Sequence, residues 1–230
     1  MAPVATLLQQ NNPNGSCLIE LLGERLELLH QRAIYWPSQC ALLVADLHWG
    51  KDEAFRVRGR SLPHGVLGSD LARLASCINS RPAERVYVLG DLIHNRDGMS
   101  EEVIQEVSKW RIQNPIEMQL IPGNHDRHFP DLPEKWDIEK TSASIRVGPF
   151  DLVHDPNETT ENYTIGGHIH PLLSMHSRND SITLPCFYFG KRYAILPAFS
   201  EFTGGKKIES KTDCKAFAIA PKQVIPATGC

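Results

Sequence analysis

Five short motifs set oxygen and nitrogen donors just past apolar runs. They are Asp46-Leu47-His48, Gly90-Asp91-Leu92-Ile93-His94, Gly123-Asn124-His125-Asp126, Val153-His154-Asp155 and Gly167-His168-Ile169-His170. One such string arises in many turns, and a lone histidine is usually an ordinary surface or core residue. Together the five supply seven candidate metal ligands: Asp46, His48, Asp91, Asn124, His154, His168 and His170. A turn has no reason to gather so many donors, and two ions held side by side would use them all.

Residue chemistry assigns the roles. Asp46 and His48 stand two apart, so on an extended segment both point the same way and reach one ion. Asp91 carries two carboxylate oxygens and suits a bridge between two cations. Asn124 offers a neutral carbonyl oxygen, and His154, His168 and His170 offer imidazole nitrogens. The mixture suits Mn²⁺, Fe, Co²⁺ or Zn²⁺ better than Ca²⁺. No cysteine joins it, against a structural zinc site. Two such ions about 3.5–4 Å apart clamp the attacking and leaving oxygens of an in-line displacement at phosphorus, with a bridging hydroxide as nucleophile. His125 is placed to protonate or stabilise the leaving oxygen, and Asp126 is expected to orient its imidazole. His94 either tunes Asp91 or caps its loop. His30, His64, His128 and His176 read as ordinary residues.

A basic run, Lys51, Arg56, Arg58 and Arg60, follows the first motif and is expected on one loop near the donors. It would hold a phosphate backbone, against the alternative of a solvated loop. Arg96 is a further phosphate clamp candidate. Gly204-Gly205-Lys206-Lys207 reads more readily as a turn than as a basic binding loop.

The elements that must position these residues are legible as period and punctuation. Alternation around Leu18, Glu20 and Leu22, then less cleanly Leu26, Glu27 and Leu28, with Gly23-Glu24 between, predicts a hairpin, with a short helix as the alternative. Residues 41–45, 85–89 and 117–121 read as strands buried on both faces, ending at Asp46, Asp91 and Asn124. Helical spacing runs from Gly65 to Ser80, and a second helix follows Ser100 as N-cap. Strand and helix in alternation predict a mostly parallel sheet binding at its carboxyl edge. After Trp136 short strands predict a second sheet: 145–147, 150–153, 163–165, 187–189, 193–196 and 216–220. The fold class is therefore α/β, two mixed sheets packed as a sandwich flanked by helices. Residues 1–15 read as a flexible tail before a single domain over 16–230.

Bulk properties narrow the partners. A net charge of −3 on 230 residues gives no global field for a polyanion, so such binding needs a local patch or metal. The six cysteines lack a C-x-x-C pair and read as free thiols of a reducing compartment, with Cys230 exposed. No basic leader opens the chain and its apolar runs are too short to span a bilayer, so a cytoplasmic location without membrane contact is expected.

The motif order D-x-H, G-D-x-x-H, G-N-H-D, H, G-H-x-H resembles the calcineurin-like metallophosphoesterase superfamily. That resemblance implies Asp46, His48, Asp91 and His170 on one ion, Asp91, Asn124, His154 and His168 on the other, and His125 as catalytic histidine. Ala45 to Lys51, Phe55-Arg56, Leu62-Pro63, His154-Asp155-Pro156, His168-Ile169-His170-Pro171, Leu196-Pro197-Ala198-Phe199 and Thr203-Gly204-Gly205 are similar to the bacterial DNA-ligase-associated branch. The branch implies Mn²⁺-dependent phosphoesterase activity in DNA repair beside a ligase and a helicase. Ser200-Glu201 departs from its pattern, where glycine follows the phenylalanine. The expected activity is a phosphodiesterase acting on nucleic-acid ends. A nucleotide or phosphoprotein phosphomonoesterase and a non-catalytic metal-binding scaffold are the rivals.

Overall fold

The computed structural model describes residues 10–59, 65–129, 131–156, 161–176, 180–208 and 214–227. Arg60, His64 and Cys230, singled out above, lie outside them.

The first half of the chain forms one sheet and its helices. In order come β1 (Gln10–Asn11), β2 (Cys17–Leu21), β3 (Glu24–Leu29), β4 (Ala33–Trp36), β5 (Ala41–Val44), α1 (Lys51–Val57), α2 (Val66–Ser80), β6 (Arg85–Leu89), α3 (Glu101–Gln113), β7 (Glu117–Ile121) and β8 (Glu139–Lys140). The sheet keeps chain order, antiparallel from β1 to β5 and parallel from β5 to β8. The expected hairpin is β2–β3. Its turn residues Leu22 and Gly23 both have positive φ, the handedness that matches strand twist. Its inward face, however, is Cys17, Ile19 and Leu21, and Leu22 is exposed. The apolar residues on both faces of this stretch hid the register. The tail expectation is corrected for residues 10–15. Gln10 and Asn11 pair with Leu18 and Cys17, and the Asn12 side chain donates to Ser16 Oγ.

The second half builds the other sheet: β9 (Ser144–Val147), β10 (Phe150–Val153), β11 (Tyr163–Gly166), β12 (Pro171–His176), β13 (Ser181–Phe189), β14 (Tyr193–Ile195), β15 (Lys206–Lys207), β16 (Lys215–Ala220) and β17 (Gln223–Pro226). Its strand order is β15-β12-β13-β14-β11-β10-β9, with β16 on β13 and β17 on β16.

Alternation within single strands decides the layers. Leu43, Tyr87, Leu89 and Ile121 face the second sheet and pack with Phe150, Leu152, Ile165, Phe187 and Phe217. Their neighbours Leu42, Val44, Val86, Val88 and Leu120 face the other way, onto Leu67, Leu71 and Leu74 of α2 and Val103, Val107 and Trp110 of α3. Both faces of β5–β7 are thus covered, which is why those strands read as unbroken apolar runs. The mixed two-sheet sandwich is as expected, with α2 and α3 on the outer face of the first sheet.

Candidate metal centre

Every donor motif begins where a strand stops. Parallel β5, β6 and β7 end at Val44, Leu89 and Ile121, and hand on to Asp46, Asp91 and Asn124. Parallel β10 and β11 hand on to His154 and His168. All these strand ends lie on the carboxyl edges of the two sheets. Backbone bonds lace the loops together: Asp46 N–H donates to the Gly90 carbonyl at 3.1 Å, and His48 N–H to Asp91 at 2.9 Å. Gly167 N–H donates to His154 at 2.9 Å, and Phe199 N–H to Ala45 at 2.8 Å.

The seven expected ligands converge. Asp46, His48 and His170 bring donor atoms within 4.8 Å of one another, as do Asp46, Asp91 and His154. His154 Nε2 lies 2.8 Å from Asn124 Oδ1, 3.1 Å from His168 Nδ1 and 3.5 Å from Asp91 Oδ1. The backbone that achieves this is not the expected extended segment. Asp46, His48, Asp91, His168 and His170 have φ of 56°, 48°, 49°, 68° and 50°. The left-handed region costs an L-residue about 1–2 kcal/mol, so strain gathers at the donors, a common mark of functional sites. Motif glycines are equally constrained. A Cβ on Gly90, whose φ is +81°, would enter the His154 ring, and one on Gly167 would enter the Asp46 carboxylate.

Hydrogen bonds fix which nitrogen of each ring points inward. His154 Nδ1 lies 3.0 Å from the Leu89 carbonyl, and His170 Nδ1 lies 2.8 Å from that of Gly204. A carbonyl only accepts, so each Nδ1 carries a proton and each Nε2 is the nitrogen turned to the centre. His154 Nε2 then faces Asn124 Oδ1, and His170 Nε2 faces Asp46 Oδ1 at 3.2 Å. Among the described residues, buried Asp46 Oδ1, both nitrogens of His48, His94 Nδ1 and His170 Nε2 find no hydrogen-bond partner. Converging acceptors of this kind fit divalent cations between them. Burial, helped by the His170 and Lys51 charges, pushes His48 down to about 2, which keeps the imidazole a neutral donor. Burial also lowers His170, but the charge of the Asp46 carboxylate beside it outweighs burial and raises its pKa.

His125 lies on the rim, its Nε2 3.8 Å from Asp91 Oδ2. The expectation for Asp126 is corrected. Its Oδ2 accepts from Gly123 N–H at 2.8 Å and its Oδ1 from Ile93 N–H at 3.3 Å, so it clamps two donor loops. The group that orients His125 is the His94 carbonyl, 2.5 Å from Nδ1. The His94 ring stacks on that of His125, with centroids 5.5 Å apart. Burial, helped by the charges of Lys51, His125 and Arg58, lowers His94 to about 4.

The basic run is also corrected, from loop to helix: Lys51, Arg56 and Arg58 belong to α1 and its C-cap. Lys51 Nζ lies 3.4 Å from Thr203 Oγ1, Arg56 pairs with Glu53, and Arg58 pairs with Asp97 at 2.8 Å. Arg96 donates to the His128 carbonyl at 3.3 Å. Sequence reasoning missed Arg127, which lines a cleft of about 320 Å³ with Asn124, His154, Asp155 and His168. Its position just after the G-N-H-D motif was the available signal. The histidines set aside as ordinary include His128, which is exposed, accepts from Arg96 at its carbonyl and donates its N–H to the His125 carbonyl.

No family model and no curated protein matches the chain. Among solved structures, the crystal structure of Pseudomonas putida nuclease MPE superposes with a TM-score of 0.82 at 33% identity, over 92% of this chain and 100% of that one. A protein of unknown function from Aquifex aeolicus superposes more loosely, with a TM-score of 0.39 at 20% identity over 56% of this chain and 78% of that one. Among the described residues no helix is long and apolar enough to cross a membrane. A third of the residues in common with that nuclease, over almost the whole of both chains, makes this protein a member of the calcineurin-like metallophosphoesterase superfamily, on its bacterial ligase-associated branch.

Proposed function

We propose that the chain is a two-metal phosphodiesterase that hydrolyses nucleic acid, with Mn²⁺ as the working ion. The observation that carries the reading is the set of ligand atoms of His154, His170, Asn124 and Asp46 turned to one centre, two of the rings pinned from behind by backbone carbonyls. Asp46, His48, Asp91 and His170 would hold one ion. Asp91, Asn124, His154 and His168 would hold the other, with Asp91 between them. When bound, such ions supply Lewis acidity toward the phosphoryl oxygens and make water a nucleophile at neutral pH. The chain's own groups do the rest. His125, with Nδ1–H given to the His94 carbonyl, turns Nε2 toward the reacting centre, where it holds a proton for the leaving oxygen. Asp126 keeps the Gly123 and Ile93 backbones, and so the Asn124 and Asp91 loops, in register. Lys51, Arg58 and Arg127 add positive charge at the rim for a flanking phosphate, and Arg56 and Arg96 are further candidates for it.

The nucleic-acid substrate is supported by the likeness to a solved nuclease at 33% identity. The repair setting, with ligase and helicase partners, draws its support from the sequence motifs. The test is hydrolysis of an aryl phosphodiester and of a DNA strand with and without Mn²⁺. Metal-dependent turnover of both, lost in Asp91→Ala and His125→Ala, is the expected result. Turnover of monoesters alone would replace the reading with a phosphatase, and no turnover with less than one ion bound per chain would replace it with a scaffold.

A further inference from the structure

Beside the metal donors lies a second hollow of about 360 Å³, walled by Ile169, Tyr188, Tyr193, Ile195, Lys206 and Lys207. That volume falls in the range of small-ligand pockets. Ile169 separates the donors His168 and His170 in sequence. The Lys206 N–H faces the carbonyls of Ile169 and His170 at 3.3 and 3.2 Å. Lys206 and Lys207 pair in parallel with Pro171 and Leu172. The hollow and the donor cluster therefore share one wall, the His168-Ile169-His170 segment. Lys206 and Lys207, the end of the glycine-lysine stretch expected to be a plain turn, form the strand that rims it.

Two aromatic rings furnish the hollow. Tyr188 and Tyr193 stack with centroids 5.8 Å apart and planes 30° from parallel. Tyr188 is buried and Tyr193 half-buried. The backbone that carries Tyr193 is held in place by hydrogen bonds. The Tyr193 carbonyl accepts from Gly190 N–H at 2.8 Å, and the Tyr163 hydroxyl sits 2.9 Å from the Gly190 carbonyl and 3.0 Å from that of Tyr193. Both lysine side chains at the rim are exposed. A tyrosine face with ammonium groups beside it matches a nucleotide: the ring stacks on the base and the ammonium meets a phosphate oxygen. An inorganic anion would give the rings no role, and an aliphatic ligand would give the lysines none.

We propose that the Tyr188–Tyr193 hollow is a nucleobase subsite, seating the base next to the phosphodiester that is cut, with Lys206 and Lys207 on the adjoining backbone phosphate. The proposal rests on the phosphodiesterase reading of the neighbouring centre, and its test separates the two.

The direct measurement is calorimetric titration of the metal-free full-length protein with deoxyadenosine 5′-monophosphate. Tyr193→Leu is expected to weaken binding about tenfold, the loss of one base–aromatic stack, while Tyr193→Phe retains it. Lys206→Ala with Lys207→Ala is expected to weaken the nucleotide but not deoxyadenosine itself. In turnover with Mn²⁺, Tyr193→Leu is expected to raise KM for a short DNA strand about tenfold, leaving kcat/KM for methyl 4-nitrophenyl phosphate unchanged. Equal nucleotide affinity in wild type and Tyr193→Leu overturns the proposal, as does the same proportional loss on both substrates. If Tyr193→Leu fails to fold, the lysine double variant changes exposed side chains only, and an unaltered nucleotide affinity there overturns the proposal. A wild type that cuts neither substrate overturns the phosphodiesterase reading, while the titration still decides the subsite.

Discussion

His170 Nε2 stands 3.2 Å from Asp46 Oδ1 while its Nδ1 faces the Gly204 carbonyl at 2.8 Å. These residues lie in different halves of the chain, and the contact joins the edges of the two sheets. A cation held there fastens the sheets to each other, so metal and fold stability are linked. Loading with Mn²⁺ is expected to raise Tm, and Asp46→Ala or His170→Ala to remove most of that rise. Differential scanning calorimetry with and without chelator checks it, and an equal metal-dependent rise in Asp46→Ala would contradict it.

Gly90→Ala is expected to disturb the centre without touching any donor's chemistry. The position has a φ of +81°, and a Cβ there would overlap the His154 ring. The left-handed backbone alone costs about 1–2 kcal/mol, and the overlap must displace His154 from the Leu89 carbonyl. Unfolding in urea should report a loss of about 2 kcal/mol or more, and Mn²⁺ affinity should fall with it. Wild-type metal affinity in Gly90→Ala would show that His154 is not a ligand.

The ligand set was legible because its residue types and order are specific, and β5, β6 and β7 were legible because burial on both faces leaves unbroken apolar runs. The rest failed for physical reasons. α1 buries only Ala54, so no apolar stripe marks it and its cations read as a loop. β15 is an exposed two-residue edge strand that reads as a turn. The left-handed backbone at Asp46, His48 and Asp91 follows from tertiary bonds between loops, not from local preference. The partner of His125 is a backbone carbonyl, and a carbonyl leaves no signature in residue type. Adjacency in sequence points to Asp126 instead, although its carboxylate faces the Gly123 and Ile93 amides.

Separating Asp126 from His125 gives a third prediction. If Asp126 clamps the Gly123 and Ile93 amides, its loss should cost stability and leave the acid limb of the activity profile in place. Asp126→Ala leaves two buried N–H groups without acceptors, about 1–3 kcal/mol each. Chemical denaturation should show a drop in that range, while kcat retains the wild-type dependence on pH. A shifted pH limb would restore Asp126 to the role of orienting His125.

Glu27 provides a pH-dependent prediction far from the metal donors. Its carboxylate meets Arg81 through two bonds, at 2.7 and 2.8 Å, and also accepts from Ser16. Burial pushes its pKa up, but the Arg81 and Ser16 bonds outweigh burial, and the net shift is downward from 4.5. A carboxyl whose folded pKa is depressed adds stability above its unfolded pKa and loses it as pH falls through the folded value. Wild type should therefore lose stability below about pH 4.5 more steeply than Glu27→Gln. At neutral pH Glu27→Gln should be less stable by about 2 kcal/mol, the value of hydrogen bonds to a charged group. Parallel slopes of unfolding free energy against pH in the two proteins would contradict this account.

Arg58 and Asp97 make the last prediction. Arg58 Nε and Nη2 both donate to Asp97 Oδ2, at 3.0 and 2.8 Å, and both side chains are largely exposed. An exposed pair of this kind contributes little to stability, so the carboxylate's main effect is to occupy a guanidinium near His94. A DNA phosphate approaching that rim has to compete with Asp97. Asp97→Ala is then expected to lower KM for a DNA strand severalfold at low salt, and Arg58→Ala to raise it by a similar factor. Removing one cation that neutralises a phosphate flattens the dependence of log affinity on log salt by about 0.7 for a single strand. Arg58→Ala should show that flattening, and Asp97→Ala a steeper slope than wild type. Filter binding or anisotropy across a salt series measures both. Identical slopes in all three proteins would place the DNA path away from α1 and leave the Arg58–Asp97 pair as a surface contact.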